Sequence, residues 1–364
     1  MSENNTIFAA MKIHVFNPEH DIALAAGTPL FTAPRAGRQL RSDMGFLPAL
    51  WADDGDVVVV DDIHCLDTYS PMFRELFANV EFVSWPQLSR MDVTDAEVDV
   101  WGWDAVICRE LVRANPAFAP LLPGDDRLEN IRRMSNRRFA AENLLPQLLV
   151  TDERLTGQAE YVDDVAAVAD RLASGSWVLK SPWSSSGRGV RFFDQPLTEQ
   201  QKGWCRNVIE QQGGIMLEPK YNNVCDFAME FFSDGRGGIG YLGLSVFTTT
   251  DGGYTGNLVA DERMKVEILS EHVETGLVYR IRDKIADVLS ASVGTGYRGV
   301  FGVDMMIVEE AEVRAKKIVP CVELNLRRTM GHVALAMAGN GKVPIPCLMN
   351  IYYSGGRYSL NFTF

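Results

Sequence analysis

The chain has 364 residues, of which 46% are hydrophobic and 23% are charged. At roughly 150 residues per domain, this length predicts two or three domains, and the composition excludes a chain that is disordered throughout. The 35 basic and 48 acidic residues give a net charge of −13, which argues against nonspecific binding to nucleic acid or anionic lipid. A local basic pocket for a phosphorylated small molecule stays compatible with this balance, because distant charges are screened.

The cysteines and the N-terminal residues predict the compartment. The six cysteines form no C-x-x-C pair and lie among apolar neighbours, which is typical of reduced, buried thiols. The first residues carry no basic region, and the apolar stretch after them is too short for a signal peptide. No run reaches the roughly 18 apolar residues of a membrane span. We therefore expect a cytoplasmic protein that contacts neither membrane nor nucleic acid.

The first third of the chain has the pattern of a small parallel α/β unit over residues 11–112. The continuous apolar run at 57–60 is typical of a strand buried on both faces. Further strands are predicted at 12–16, 80–83 and 105–108, and an amphipathic helix at 35–51. The segment 113–126 contains three prolines and a glycine, and we interpret it as a linker.

The rest of the chain begins with helices and becomes rich in strands after residue 214. A basic helix is predicted at 128–142, and the tail at 358–364 alternates like an edge strand. Other helices are predicted at 163–172, 198–212, 268–291 and 328–337. Other strands are predicted at 177–180, 190–193, 215–218, 227–232, 239–248, 300–308 and 318–324.

A lysine, a hydroxyl-rich glycine loop and a returning strand form the first chemical constellation. Lys180 ends the strand at 177–180, and the strand at 190–193 follows the loop. The loop consists of Ser184, Ser185, Ser186, Gly187, Arg188 and Gly189. Glycines let backbone N–H groups approach phosphate oxygens, and a lysine about 4 Å away adds roughly 4 kcal/mol before desolvation. The alternative is a surface hairpin, and the loop is not a Walker motif.

The second constellation consists of acids in apolar strands. Asp304 lies in one such strand, and Glu323 and Asn325 lie two residues apart in the next, on one face. Buried carboxylates need a cation or a metal, and an all-oxygen set suits Mg²⁺ shared with phosphates rather than zinc. The alternative is salt bridging to Arg327 or Arg328.

Two further acids lie between these constellations. Glu218 ends an apolar strand that could serve as a hinge against an adenine. Asp226 follows eight residues later and could accept hydrogen bonds from a ribose.

In this order, the pieces resemble the ATP-grasp family over roughly residues 128–335. The resemblance implies that Lys180, the loop 184–189, Glu218 and Asp226 bind ATP. It also implies that Asp304, Glu323 and Asn325 bind Mg²⁺, with Mn²⁺ as the alternative metal. Arg327, two residues beyond the asparagine, would act catalytically beside Lys180. The expected fold is α/β (α+β), an ATP-grasp fold preceded by a Rossmann-like N-terminal domain.

The sequence departs from the family pattern at the upstream lysine that usually contacts phosphate. The corresponding helix offers Arg137 and Arg138 instead, and the sequence leaves open which of them substitutes. An arginine would contact the phosphate through two N–H groups of its planar guanidinium, whereas a lysine presents a single point charge. The second departure is a charged insertion at 309–317, which removes no metal ligand.

The resemblance also predicts a domain organisation and loops for the second substrate. We expect an N-terminal substrate-binding domain at 1–115, a linker with the basic helix at 116–145, a lid subdomain at 146–214 and a C-terminal subdomain at 215–364. Open α/β sheets bind ligands at the carboxyl ends of their strands. The substrate candidates are Asn17, Glu19 and Asp21 after the first strand, Tyr254 and Asn257 in a glycine-rich segment, and Arg328.

The resemblance implies an ATP-dependent ligase that joins a small-molecule or peptide carboxylate to an amine, less often a thiol, through an acyl phosphate. The alternatives are a phosphotransferase acting on a hydroxyl with the same scaffold and a nucleotide-binding module without turnover. The sequence motif G-x-G-x-x-G at 294–299 follows a predicted helix and precedes a strand, which is the reverse of the dinucleotide-binding order.

Overall fold

Three β-sheets organise the chain. The structure is a computed structural model that describes residues 10–67, 69–184, 187, 189–193, 196–250, 252–310 and 314–364. The sheets have four, seven and four strands. Within these described residues, no helix has both the length and the apolar character needed to cross a membrane.

The N-terminal sheet is parallel, with strand order β3-β2-β1-β4. Its strands are β1 (Lys12–Val15), β2 (Val57–Val60), β3 (Glu81–Ser84) and β4 (Glu97–Val100). The four valines of β2 are all buried, as the continuous apolar run predicts. The accompanying helices are α1 (His20–Ala26), α2 (Arg35–Met44), α3 (Pro71–Arg74), α4 (Trp85–Leu88) and α5 (Ala105–Ala114), with 3-10 helices at Leu47–Leu50 and Pro116–Leu121.

Two predictions for this region are wrong. Residues 105–108 begin helix α5, because the Asp104 side chain accepts hydrogen bonds from the backbone N–H groups of Val106 and Ile107 at 2.8 and 2.9 Å. The fourth strand is Glu97–Val100. The helix expected at 35–51 ends at Met44, and a 3-10 turn replaces its second half.

The small sheet is antiparallel, with strand order β5-β8-β6-β7. Its strands are β5 (Glu160–Val162), β6 (Trp177–Lys180), β7 (Val190–Phe192) and β8 (Ile215–Pro219). Helices α9 (Val165–Ala173) and α10 (Glu199–Gln212) cover it through Val168 and Cys205. Strand β8 therefore belongs to the small sheet rather than to the C-terminal subdomain in which the sequence analysis placed it.

The basic helix expected at 128–142 is two helices. Helix α6 (Asp125–Met134) ends before Ser135, and α7 (Arg137–Asn143) begins after Asn136. The Asn136 side chain accepts a hydrogen bond from the Arg138 backbone N–H at 2.8 Å, which caps α7. The cap places Arg137 at the first position of α7, and α8 (Leu145–Leu149) follows.

The large sheet is antiparallel and has the order β13-β12-β9-β10-β11-β14-β15. Its strands are β9 (Asn223–Asp234), β10 (Ile239–Thr250), β11 (Gly253–Val259), β12 (Arg298–Glu309), β13 (Lys316–Asn325), β14 (Cys347–Ser354) and β15 (Arg357–Thr363). The tail is an edge strand, as its alternation predicts. Strands β11 and β14 were not predicted, because the glycines of β11 resemble a loop.

Helices α11 (Glu262–Ser270), α12 (Thr275–Ser290), α13 (Val293–Gly296) and α14 (Met330–Gly339) complete this region. The single helix expected at 268–291 is wrong, since α11 and α12 are separate. The N-terminal sheet packs against the end of the chain through one shared apolar core that includes Phe16, Phe46, Met337 and Leu360. This packing brings the carboxyl end of β1 next to the large sheet.

Candidate active site

The three proposed metal ligands lie side by side at the end of two paired strands. Asp304 of β12 is opposite Glu323 of β13, and Gly302 is opposite Asn325. The Asn325 amide Nδ2 donates to Asp304 Oδ2 at 3.0 Å. The structure therefore brings the three predicted side chains together.

The electrostatics of this cluster fit a divalent cation. Burial and the neighbouring Glu323 charge raise the pKa of Asp304 to about 7, against the opposing effects of Arg327 and Asn325. A buried carboxyl whose pKa is raised in this way is short of positive charge, which a hard cation with oxygen ligands would supply. Within the described residues, no three His, Cys, Asp or Glu side chains form a metal site by themselves.

Arg137 connects the metal cluster to the loop after β6. Its side chain is buried and lies 2.7 Å from Glu323 Oε1 through Nη2. Its Nη1 donates to Ser184 Oγ at 2.8 Å and to the Ser181 carbonyl at 2.6 Å. Arg138 points away, pairs with Glu142 at 2.6 Å and is half exposed. Of the two arginines, Arg137 is the one at the site.

Lys180 and Glu218 face the same cleft from the small sheet. They are diagonal neighbours on the paired strands β6 and β8, and Lys180 Nζ donates to Glu218 Oε2 at 2.5 Å. Across the cleft, Asp226 of β9 accepts a hydrogen bond from Thr249 Oγ1 at 2.7 Å. Burial raises the pKa of Asp226, while the charge of Lys180 acts in the opposite direction.

The contacts of Arg137 bring the end of β6 beside β13. Arg137 binds Glu323 on β13 and the carbonyl of Ser181, the residue directly after Lys180. The thiol of Cys321, also on β13, is buried, and burial is the largest cause that raises its pKa. The charges of Glu218 and Lys180 from the small sheet and of Asp304 and Glu323 from the large sheet have smaller effects on this pKa.

The glycine loop closes against a hairpin of the large sheet. Gly187 has φ +71°, and a Cβ there would overlap the Gly252 carbonyl at the turn between β10 and β11. A Cβ at Gly189 would lie 2.5 Å from Ser184 Oγ. Both positions require glycine. The loop candidates Ser185, Ser186 and Arg188 lie outside the described residues.

A chamber of about 350 Å³ continues from the metal cluster towards the N-terminal sheet. Arg327 lines this chamber and donates through Nε to Asp21 Oδ2 at 2.9 Å. Glu19 lines it too, with Oε1 accepting from Arg41 Nη1 at 2.7 Å. Tyr254 and Asn257 line the opposite wall. Four of the six substrate candidates therefore meet in one space.

The other two substrate candidates, Asn17 and Arg328, do not line this chamber. Asn17 donates to the Gly102 carbonyl at 2.8 Å and to Asp104 at 3.1 Å, which fixes the end of β1. Arg328 lies in a separate outer cavity of about 840 Å³, paired with Asp99 at 3.0 Å and stacked over Trp51.

Sequence reasoning missed Glu230 and Ser245, which line the chamber floor. Glu230 is 1% exposed, and burial is the main cause that raises its pKa to about 8. Its Oε1 accepts from Thr329 Oγ1 at 2.8 Å. An acid within the apolar strand 227–232 is the same signal that identified Asp304, so the sequence did contain the information. Ser245 gives no such signal.

No family model and no curated protein sequence matches the chain. The structure is similar to N5-carboxyaminoimidazole synthetase from Staphylococcus aureus complexed with ADP, with a TM-score of 0.50 and 10% identity over 96% of this chain and 84% of that one. A biotin carboxylase complex from Campylobacter jejuni gives a TM-score of 0.49 and 11% identity, covering 94% of this chain and 76% of that one.

An ATP-grasp superfamily protein from Archaeoglobus fulgidus gives a TM-score of 0.46 and 13% identity, covering 97% of this chain and 99% of that one. At these identities the likeness concerns the fold and not the substrate. The chain therefore has the ATP-grasp fold, with a Rossmann-like N-terminal sheet.

Proposed function

We propose that this protein is an ATP-dependent ligase that joins a carboxylate to an amine through an acyl phosphate. One observation carries the proposal: a single cleft holds Lys180 and Glu218 on one side and Asp304, Glu323 and Asn325 on the other, and it opens into the Arg327 chamber. Phosphoryl transfer needs charge neutralisation and positioning more than covalent help from the protein, and this cleft supplies both.

In this proposal the cationic side chains act on the phosphates. Lys180 and Arg137 neutralise phosphate oxygens, and their present partners, Glu218 and Glu323, hold them inside the cleft. Glu218 and Asp226 are the hydrogen-bonding groups for the nucleoside. Asp304, Glu323 and Asn325 would hold Mg²⁺, which supplies Lewis-acid neutralisation of phosphate charge when it is bound.

Arg327 serves the carboxylate substrate. Its Nε is held by Asp21 and its Nη1 by the Arg328 carbonyl at 3.1 Å, so the guanidinium is fixed at the junction between the cleft and the chamber. A fixed guanidinium binds a carboxylate or a transferring phosphoryl group without reorganisation. The contact of Gly187 with the Gly252 turn closes the space above and keeps water away from an acyl phosphate.

ADP release tests the proposal. Wild-type protein with ATP, Mg²⁺ and a panel of amino acids, short peptides and metabolic acids should release ADP only when a suitable carboxylate is present. Hydroxylamine should convert the intermediate to a hydroxamate, which a phosphotransferase acting on a hydroxyl does not form.

Lys180→Ala is the blank, and Lys202→Ala on the exposed face of α10 is its matched control. ADP release that needs no carboxylate, or that yields no hydroxamate, would reject the ligase. Equal rates of ADP release for Lys180→Ala and Lys202→Ala would show that Lys180 has no part in the reaction.

A further inference from the structure

The two ends of the chamber differ in polarity. Near the metal cluster lies an acceptor floor, in which Glu230 Oε1 accepts from Thr329 Oγ1 at 2.8 Å and Ser245 Oγ accepts from Asn257 Nδ2 at 2.7 Å. Towards the N-terminal sheet the lining is apolar and aromatic, and it consists of Phe16, Leu40, Trp101, Met330, Ile351 and Tyr358. All six belong to the apolar core shared by the N-terminal sheet and the end of the chain, or pack against it.

Phe16 and Trp101 give this apolar end a fixed wall. Phe16 directly follows β1 and Trp101 directly follows β4, and both side chains are buried. Their rings are nearly perpendicular, with centroids 4.9 Å apart, an arrangement that stabilises both ring positions. Preformed apolar walls with a few polar groups are typical of small-molecule sites, and covering such a wall with an apolar group is favourable.

The charges of the chamber suit a substrate with one anionic group. Among the described residues that line it, Arg327 is the only lysine or arginine, whereas five side chains carry carboxyl groups. Arg41 lies outside the lining and is engaged by Glu19 Oε1 at 2.7 Å and by Glu110 Oε2 at 2.8 Å. A second carboxylate or a phosphate on the substrate would therefore lie beside Glu19 and Asp21 without a cation, which is costly.

We propose that the carboxylate substrate is a monocarboxylate with an apolar body. The carboxylate lies at Arg327, and the body extends away from the metal cluster into the apolar end of the chamber. This class includes aliphatic and aromatic acids with or without an α-amino group, and it excludes dicarboxylates and phosphorylated acids. The proposal rests on the proposed ligase function and names its substrate class.

Gly37 gives the apolar end part of its depth. It lies on α2, one helical turn before Leu40, and both residues line the chamber. A Cβ at Gly37 would meet only Ala33 Cβ and Glu19 Cβ outside its own helix backbone, both at an ordinary contact distance of 3.8 Å. A larger side chain therefore fits at its first atom and takes up space in the chamber beyond it.

Two pairs of acids that differ only at the distal end test the proposal. Adipate is hexanoate with its methyl group replaced by a carboxylate, and 2-aminoadipate stands in the same relation to norleucine. With wild-type protein, ATP, Mg²⁺ and hydroxylamine, kcat/KM for hydroxamate formation should be about 100-fold higher for the apolar member of the reactive pair. It should also rise about fourfold with each methylene from propionate to hexanoate, or from alanine to norleucine.

Two substitutions on α2 should change this specificity in defined directions. Gly37→Leu fills the apolar end, so the ratio of kcat/KM for the longest acid of the series to that for the shortest should fall by about tenfold or more. Leu40→Lys adds a cation, so kcat/KM should rise about tenfold for the dicarboxylate and fall for its apolar partner. A folding defect would lower all four rates together and would change neither ratio.

Gly203→Leu is the matched control, because Gly203 lies on α10 outside the chamber and its Cβ would meet no atom within 4 Å. Both ratios should equal those of wild type in this variant. Dicarboxylates that react as well as their apolar partners, rates that do not depend on chain length, or an unchanged length ratio in Gly37→Leu would each overturn the substrate class and leave the ligase standing. No hydroxamate from any acid of either series would overturn the proposed function itself.

Discussion

The chamber and the outer cavity lie on opposite sides of the segment that joins β13 to α14. They differ in how completely their buried polar groups are paired. Arg327 lines the chamber and Arg328 lines the outer cavity. In the outer cavity, Asp99 pairs with Arg328 and accepts hydrogen bonds from Trp51 Nε1 at 3.1 Å and from the ring of His14. Among the described residues that line the outer cavity, one buried side-chain atom, Arg328 Nε, lacks a hydrogen-bond partner.

The chamber instead holds several buried polar atoms that lack partners. They belong to Glu19, Glu230, Tyr254 and Asn257. The nearly complete pairing in the outer cavity indicates that its network stabilises the junction of the N-terminal and large sheets. The unpaired polar atoms of the chamber wall are instead able to form hydrogen bonds with a ligand. Four predictions test this difference between the two cavities.

The largest effect is expected in the metal cluster. Glu323→Gln removes one charge from the Asp304 and Asn325 set and from Arg137, so carboxylate-dependent ADP release should fall by about 1,000-fold. Glu267→Gln, an exposed position on α11, should have no effect. Turnover of Glu323→Gln close to wild type would show that the cluster has no part in the reaction.

Gly331→Ala should come next, because its Cβ would overlap Glu230 Oε1. Overpacking of this kind costs about 1–3 kcal/mol, and the displaced floor should also slow amine transfer. Gly339→Ala at the other end of α14 meets no atom within 4 Å and should leave stability unchanged or raise it slightly. Urea unfolding of the two variants checks this, and similar curves would mean that Glu230 does not occupy the place described.

Asp99→Asn should affect stability without affecting turnover. It leaves Arg328 and His14 without their carboxylate, and the loss should be about 2 kcal/mol, below that of a fully buried pair because the Asp99 side chain is 27% exposed. Chemical denaturation and ADP release measure the two effects separately. A matching fall in ADP release would mean that the outer cavity takes part in the reaction, as the chamber is proposed to do.

The smallest effect concerns pH. The Glu230 carboxyl titrates near pH 4.5 when unfolded and near 8 when folded, so the stability it contributes is present below pH 4.5 and is lost as pH rises to about 8. The melting temperature of wild type minus that of Glu230→Gln should therefore fall by a few °C between pH 5 and 8.5. Burial lowers the pKa of His332, so the contribution of His332 to stability changes with pH in the opposite direction. A constant difference would mean that Glu230 is ionised throughout.

The sequence predicted the elements whose local pattern is unambiguous and failed where a distant residue decides. The apolar run of β2 was predicted at its observed bounds. Strand β4 was missed because Glu97 and Asp99 interrupt its pattern, and the partner that neutralises Asp99, Arg328, lies 229 positions along the chain.

In the candidate site too, local patterns were predictable and distant contacts were not. The charged residues within β6, β12 and β13 could be placed from the strand pattern, because residues two apart on a strand share a face. The choice between Arg137 and Arg138 depended on the Asn136 cap that starts α7. The acceptor floor was not predictable, since it requires Glu230, Ser245 and Asn257 to meet from three different strands beneath α14.

The bond between Asp21 and Arg327 spans 306 positions, and it has a consequence for biosynthesis. At 5–20 residues per second, the ribosome needs roughly 15–60 s to add Arg327 after Asp21. During that interval Asp21 lacks its Arg327 partner, whereas Glu19 can already pair with Arg41. The nascent chain therefore cannot complete the chamber before Arg327 has been added.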